Sequence, residues 1–135
     1  MSDAVDSVED ALLRVNQAFY DAFASADVEA MAELWSEQHP VACIHPGWQV
    51  LLGRDEVLAS WRAILLNEGP AVECREPRAF GQGDAGFVVC LERIGDGVLS
   101  ATNCFVLEAG VWRMLHHHAG PVAQVEMEVP ASGLN

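Results

Sequence analysis

The sequence predicts an α+β domain in which three N-terminal helices cover one face of a curved antiparallel sheet. Two observations support this prediction. Apolar residues of the first half recur at steps of three and four, as they do on one side of a helix. The second half holds strand-like segments at 71–80, 87–94, 99–107 and 111–125, which are separated by short glycine turns. Helices followed by a meander of strands form a two-layer domain.

Length and charge limit the class of protein. The chain of 135 residues suits a single domain spanning 1–135, with a core at about 7–125. Its 7 basic and 20 acidic residues give a net charge of −13, which argues against binding to nucleic acid or to anionic membranes. No apolar run approaches the ~18 residues of a membrane span. The acidic N-terminus is unlike a secretory signal, so we expect a cytoplasmic protein.

Two helices are predicted near the N-terminus. Ser7, three residues before Asp10, is typical of a capped helix start, and the apolar stripe that follows continues to Phe23. A break at 25–26 ends this helix, and Asp27 begins the second one.

A short strand at 41–45 is expected next. Pro46-Gly47 forms a turn, and residues 48–52 run back in the opposite direction. Gly53 then precedes a third helix whose first turn is acidic, which favours the helix dipole. A strongly bent sheet packed on these helices leaves a cone with an open mouth, which is a natural pocket for a small molecule.

Three stretches of the chain resemble the nuclear transport factor 2-like superfamily, and specifically its SnoaL-like branch. They are ADVEAMAELW at 26–35, HPG at 45–47 leading to LGRDEV at 52–57, and GVWRMLHHH at 110–118. The resemblance implies a cone-shaped fold with a pocket and a homodimer formed by the sheets. It does not define an activity, because the superfamily contains isomerases, hydratases, cyclases, epoxide hydrolases and non-enzymatic binders.

His45 is the first candidate for catalysis. In the similar ketosteroid isomerases, an aspartate directly before the proline shuttles the proton, and here His45 precedes Pro46. Histidine titrates near neutrality and could do the same work; alternatively, it bonds the turn. The isomerase tyrosine falls on Phe19, which has no hydroxyl, and Tyr20 points about 100° away on a helix. Steroid-type isomerisation is therefore not expected.

Asn103 and Glu92 are candidates on neighbouring strands. Strand alternation places Asn103 on one face with Ala101 and Phe105, where its amide could bind a carbonyl or carboxylate. In the related hub domain of a calmodulin-dependent kinase, the matching position carries a pocket arginine. If Glu92 rather than Arg93 faces inward, burial would raise its pKa and suit it to acid–base chemistry. The alternatives are an asparagine bonded within the sheet and a glutamate in a solvated or interface ion pair.

The run His116-His117-His118 raises the question of a metal. Alternation sends His116 and His118 to one face and His117 to the other, and a metal site would need further ligands. We therefore expect neither a metal nor any other cofactor. His117 could line the pocket, although a bulge in this strand would change the face of the sheet on which each histidine lies.

The sequence therefore predicts a domain that binds a small molecule in an apolar pocket. Isomerase, cyclase or hydrolase chemistry on an unknown substrate stays open, and the alternative is a non-catalytic dimerisation or association domain. Cys43, Cys90 and Cys104 are expected in the core as reduced thiols. His45 and Glu92 are the catalytic candidates. The other predicted pocket residues are Phe19, Trp35, Trp48, Trp61, Cys90, Asn103 and His117.

Overall fold

The structure, a computed structural model, describes residues 7–67 and 71–123. Three helices pack on one curved, unclosed sheet of six strands, which confirms the predicted α+β class. The elements are α1 (Val8–Ala24), α2 (Val28–Leu34), β1 (Ala42–Ile44), β2 (Leu51–Leu52), α3 (Arg54–Leu66), β3 (Glu73–Gln82), β4 (Ala85–Ile94), β5 (Gly97–Glu108) and β6 (Val111–Pro121).

The sheet has the strand order β2-β1-β6-β5-β4-β3. Strands β3 to β6 form the predicted antiparallel meander. Strand β1 lies parallel to β6 and antiparallel to the short β2. Of the predicted strand at 48–52, only the two residues of β2 are in strand conformation. Positions 124 and 125 of the last predicted strand lie outside the described residues.

The predicted helix starts are confirmed. The Ser7 hydroxyl accepts from the backbone N–H of Asp10 at 3.0 Å, and the Asp27 carboxylate accepts from that of Ala30 at 3.0 Å. Gly53 caps α3 with φ at +90°, a conformation that favours glycine. Each helix therefore begins where a local signal in the sequence places it. No helix in the described part of the chain is long and apolar enough to cross a membrane.

Helix α1 lies directly on β3 and β4. A Cβ atom added to Gly86 would lie 2.5 Å from Cδ1 of Leu12 and 2.7 Å from the carbonyl oxygen of Phe80, and one added to Gly81 would press on the Val8 side chain. A side chain at either position would therefore displace side chains of α1. The two glycines therefore allow the helix to approach the sheet closely enough for α1 side chains to reach its inner face.

A polar cluster joins the end of α2 to the end of β5. The Ser36 hydroxyl accepts the backbone N–H groups of Gln38 and His39 and donates its hydrogen to Glu108. His39 Nδ1 lies 2.7 Å from the same Glu108 oxygen. Because Ser36 is fully buried and bonds two backbone N–H groups as well as Glu108, its hydroxyl tethers the loop after α2 to the end of β5.

Candidate functional site

A cavity of about 220 Å³ opens between the C-terminal half of α1, the loop after β1, helix α3 and the inner face of the sheet. Most of its wall is apolar, and three titratable side chains reach it. A wider cleft of about 490 Å³ lies between α1, α2 and the turn from β5 to β6, but none of its lining side chains is buried. The smaller cavity is lined by Phe23, His45, Pro46, Trp48, Trp61, Ile64, Glu92, Ile94, Leu99 and His117.

Three neighbouring strands place buried polar side chains at or directly behind the wall of this cavity. Glu92 on β4, Asn103 on β5 and His117 on β6 are 2%, 0% and 1% exposed. Asn103 is directly opposite His117 in the sheet. Glu92 therefore faces inward, as the catalytic interpretation requires, and it is neither solvated nor part of an exposed ion pair.

A bulge in β6 decides which histidine faces inward. Phe105 pairs with Met114 and Cys104 with His116, so Leu115 is an extra residue without a partner. The bulge turns both Met114 and His117 to the buried face, although they are three positions apart. A strand without it would place residues an odd number apart on opposite faces.

Hydrogen bonds determine where the protons lie. Tyr20 donates its hydrogen to Oε2 of Glu92 at 2.6 Å, so its oxygen accepts from Nδ2 of Asn103 at 3.2 Å. Nδ2 also donates to Oδ1 of Asn16 at 2.8 Å. The Asn103 carbonyl oxygen therefore faces Nδ1 of His117 at 2.6 Å, and Nδ1 must carry the hydrogen. Nε2 of neutral His117 is left as a bare acceptor.

The bare nitrogen of His117 faces a carboxyl group. Nε2 lies 3.9 Å from Oε2 of Glu92, which is too far for a hydrogen bond. Burial, together with smaller contributions from nearby His45, His116 and His118, lowers the pKa of His117 to about 3. Burial also raises the pKa of Glu92, against a smaller lowering by the Tyr20 hydrogen bond. Both groups therefore favour their uncharged forms, a proton acceptor beside a proton donor.

His45 joins β1 to α3. Ser60 donates its hydrogen to the carbonyl of Val57 at 2.7 Å, so its oxygen accepts from Nε2 of His45 at 2.9 Å. Nδ1 of His45 then carries no hydrogen, and burial lowers the pKa of His45 to about 4. The ring packs edge-on against Trp61 and Trp48, with centroid distances of 4.8 Å in both cases. The side chain thus bonds α3 and not the Pro46-Gly47 turn, which the His45 backbone carbonyl closes by accepting from Trp48.

The predicted site residues divide into three groups. His45, Trp48, Trp61, Glu92 and His117 line the cavity. Phe19, Cys90 and Asn103 are buried behind these residues: Phe19 packs on His117 at 5.0 Å, and Cys90 contacts the Tyr20 hydroxyl. Trp35 lies elsewhere in the core, where it bridges to Met114, and it does not line the cavity.

The structure gives Tyr20 a role that the sequence analysis did not assign to it. Its hydroxyl reaches Glu92 although its neighbour Phe19 is also fully buried. The reason is that α1 packs against both the sheet and α3, which makes its buried face wide. Asn16 and Tyr20, one turn apart, face the sheet, while Phe19 packs on Trp61 with a centroid distance of 5.4 Å. Asn16 and Tyr20 are a polar pair at i and i+4 within the apolar stripe of α1, and this pattern in the sequence indicates a buried polar contact.

His116, His118 and Cys104 lie apart from this network. His116 donates from Nδ1 to the carbonyl of Ala42 at 3.0 Å, and His118 is exposed. Within residues 7–67 and 71–123, no three His, Cys, Asp or Glu side chains are grouped as a metal would require. Cys43 and Cys90 are buried as expected, but Cys104 is only partly buried because it faces the outer side of the sheet, next to Phe87.

Solved structures with similar sequence and fold give two different descriptions. A proposed dehydratase of the NTF2-like family from Streptomyces avermitilis is 31% identical, with a TM-score of 0.77 over 84% of this chain and 95% of that one. A proposed calcium/calmodulin-dependent protein kinase type II association domain from Thiobacillus denitrificans is also 31% identical, with a TM-score of 0.70 over 87% and 99%. The S. rosetta CaMKII hub, at 21% identity, shares the fold with a TM-score of 0.72 over 88% of this chain and 100% of that one.

Sequence comparison supports the same grouping. The F-box protein SKIP8 of Arabidopsis thaliana is 29% identical over 112 residues, which make up 81% of this chain and 48% of that protein. The chain thus spans about half the length of this curated relative. The sequence profile of the SnoaL-like domain matches residues 12–124. On this match, the chain belongs to the SnoaL-like family of NTF2-like domains.

Proposed function

We propose that this SnoaL-like domain binds a small, largely apolar molecule in the 220 Å³ cavity and performs acid–base chemistry on it with Glu92 and His117. The observation that carries the proposal is the 3.9 Å separation of His117 Nε2 and Glu92 Oε2, which are both buried and both at the cavity wall. A ligand oxygen or an acidic C–H group can lie against both atoms.

The cavity limits the ligand. It is smaller than the ~300–1,000 Å³ typical of sites for drug-sized molecules, so the ligand is compact. Aromatic and aliphatic side chains form most of the wall and favour an apolar body. The buried donor and acceptor require at least one hydroxyl or carbonyl group, because an unpaired polar group would be costly here.

Loss of water from a β-hydroxy carbonyl compound fits these two groups. Nε2 of His117 takes a proton from the carbon next to the carbonyl, and protonated Glu92 gives its proton to the hydroxyl, which leaves as water. A carbon–carbon double bond forms, and return of the proton from His117 to Glu92 restores the site. The similarity to a proposed dehydratase supports this class of reaction. We assign His45 an orienting role, since its ring lies 6.3 Å from that of His117 between centroids.

Thermal-shift screening against compact hydroxy ketones and enones, followed by NMR detection of water loss or of deuterium uptake, tests this proposal. We expect Glu92→Gln to abolish turnover while ligand affinity stays within a few-fold. Glu73→Gln, at an exposed acid of β3, is the matched control and should behave as the wild type. Unchanged turnover in Glu92→Gln would refute the chemistry. Ile64→Trp is designed to fill the cavity. A ligand that raises the melting temperature of this variant as much as that of the wild type would bind elsewhere, and this result would refute the proposed site.

We further propose that the outer face of the sheet pairs two copies of the chain. Phe80 and Phe87 are 49% and 41% exposed on this face, and their rings stack at 5.1 Å. They border an apolar groove with Cys104 and Leu115. Burial of such a surface can outweigh screened repulsion between acidic chains. The similarity to a proposed association domain supports this assembly, which would be the main function if the cavity binds nothing.

A further inference from the structure

We propose that Cys74 and Cys90 form a thiol pair that a hydroperoxide converts reversibly into a disulfide beside the candidate site. Cys74 on β3 and Cys90 on β4 face the same side of the sheet, and both thiols contact α1, Cys74 through Asn16 and Cys90 through Tyr20, one helical turn further on. Cys74 is partly exposed, so a small oxidant can reach the pair from the edge strand. Cys43 and Cys104 have no comparable partner thiol among the described contacts.

The backbone around the pair explains why such a bond would be reversible. Cys74 is directly opposite Glu92, which places Cys90 diagonally across the two strands. Diagonal neighbours are usually ~7–8 Å apart, whereas a disulfide needs Cβ atoms ~3.5–4.5 Å apart. Closing the bond therefore pulls β3 toward β4 at its bulge, where Glu76 already has φ at +51°. A strained disulfide is reduced easily, as a switch requires.

The chemistry needs one hydroperoxide per pair. Cys74 is the more exposed of the two thiols, so its thiolate meets the peroxide first. Its sulfur attacks the terminal oxygen of the peroxide, the O–O bond breaks, and a sulfenic acid forms. The Cys90 sulfur then displaces that oxygen as water. With hydrogen peroxide, two thiols are oxidised and two water molecules result.

Oxidation would reach the candidate site through two contacts. The Cys90 sulfur lies 3.4 Å from the Tyr20 hydroxyl, and Nδ2 of Asn16 donates to the Cys74 sulfur at 3.6 Å. Drawing the sulfurs together weakens both contacts and frees Tyr20 and Asn16, which hold Glu92 and Asn103. This effect on the site rests on the proposed function, whereas disulfide formation does not.

Peptide mapping tests the disulfide directly. The seven basic residues are all arginines, and cleavage after them places Cys43, Cys74, Cys90 and Cys104 on four different peptides. Native protein is treated with hydrogen peroxide, alkylated, digested without reductant and analysed by mass spectrometry. We expect peptide 63–75 joined to peptide 79–93, an intact mass lower by two hydrogen atoms, and recovery of both free peptides with dithiothreitol.

Matched variants complete the test. Cys104→Ser, on the outer face, should keep the link, while Cys90→Ser should lose it. Cys74→Ser, at the less buried position, should also lose it and serves if Cys90→Ser does not fold. A link to Cys43 or Cys104, only sulfinic or sulfonic products, or no linked peptide in excess peroxide would overturn the proposal. Because the readout is a mass, failure of the proposed catalytic function would leave this result unaffected.

Discussion

Nε2 of His117 and Oε2 of Glu92 lie 3.9 Å apart at the wall of one cavity, each held from behind by a hydrogen bond of 2.6 Å. Tyr20 holds the carboxyl group, and Asn103 holds the imidazole ring. Because Asn103 also donates to Tyr20, the two supports form one continuous network. The network leaves the facing atoms of Glu92 and His117 without a direct bond to each other, which is the arrangement that a ligand between them requires.

Glu92 should make the stability of the domain depend on pH. Burial raises its folded pKa above the unfolded value, so its favourable contribution is complete below the unfolded pKa and is lost as pH rises through the folded pKa. Glu92→Gln removes the ionisable group, so the variant does not lose this stability as the pH rises. The melting temperature of the variant relative to wild type should therefore increase from about pH 4 to about pH 8. Calorimetry at both pH values measures it, and a constant difference would contradict a buried carboxyl with a raised pKa.

His45 should contribute to acid sensitivity. Its folded pKa of about 4 lies below the ordinary 6.5, so its stabilising contribution is present above pH 6.5 and is lost as pH falls towards 4. His45→Asn should cost about 1–2 kcal/mol at neutral pH through the lost bond to Ser60, and it should flatten the decline of stability below pH 6.5. His118→Asn, at an exposed ring, is the control. Denaturant melts with parallel pH profiles for wild type and His45→Asn would contradict the assignment.

Gly86 should tolerate no side chain. A Cβ atom there would lie 2.5 Å from Leu12 Cδ1 and 2.7 Å from the Phe80 carbonyl oxygen. Gly86→Ala should therefore lower the unfolding free energy by about 1–3 kcal/mol, because the Leu12 side chain and the β3 backbone at Phe80 must both shift. At Gly120 an added Cβ meets nothing within 4 Å, so Gly120→Ala is the matched control. Equal stability of the two variants in urea titrations would contradict the close packing at Gly86.

Phe87 should control assembly. Replacing it with glutamate puts a charge in the centre of the apolar outer face, next to Phe80. If this face pairs two copies, Phe87→Glu should shift a dimer to a monomer in light scattering at micromolar concentration. Leu66→Glu, at a 61% exposed position of α3, adds the same charge away from the sheet and should leave the dimer intact. A wild-type monomer, or a dimer of the Phe87→Glu variant, would exclude this interface.

Much of the fold was predictable because its signals are local. Helix caps at Ser7 and Asp27, the glycine turns and the period of apolar residues depend on neighbours within a few positions, and the structure has these elements where the sequence predicts them. The family was likewise predicted from short stretches of residues whose order and spacing extend over nearly the whole chain.

The sequence by itself thus determined the α+β class, the family, the inward position of Asn103 and the presence of several residues of the cavity wall. Only the tertiary structure decided that Tyr20 reaches Glu92, that His117 is the inward histidine and that Cys104 faces outward. The reason is geometric. One extra residue at Leu115 changes the face of the sheet on which every later side chain of β6 lies. The buried face of α1 is wide because α1 packs against both the sheet and α3, which are distant from it in sequence.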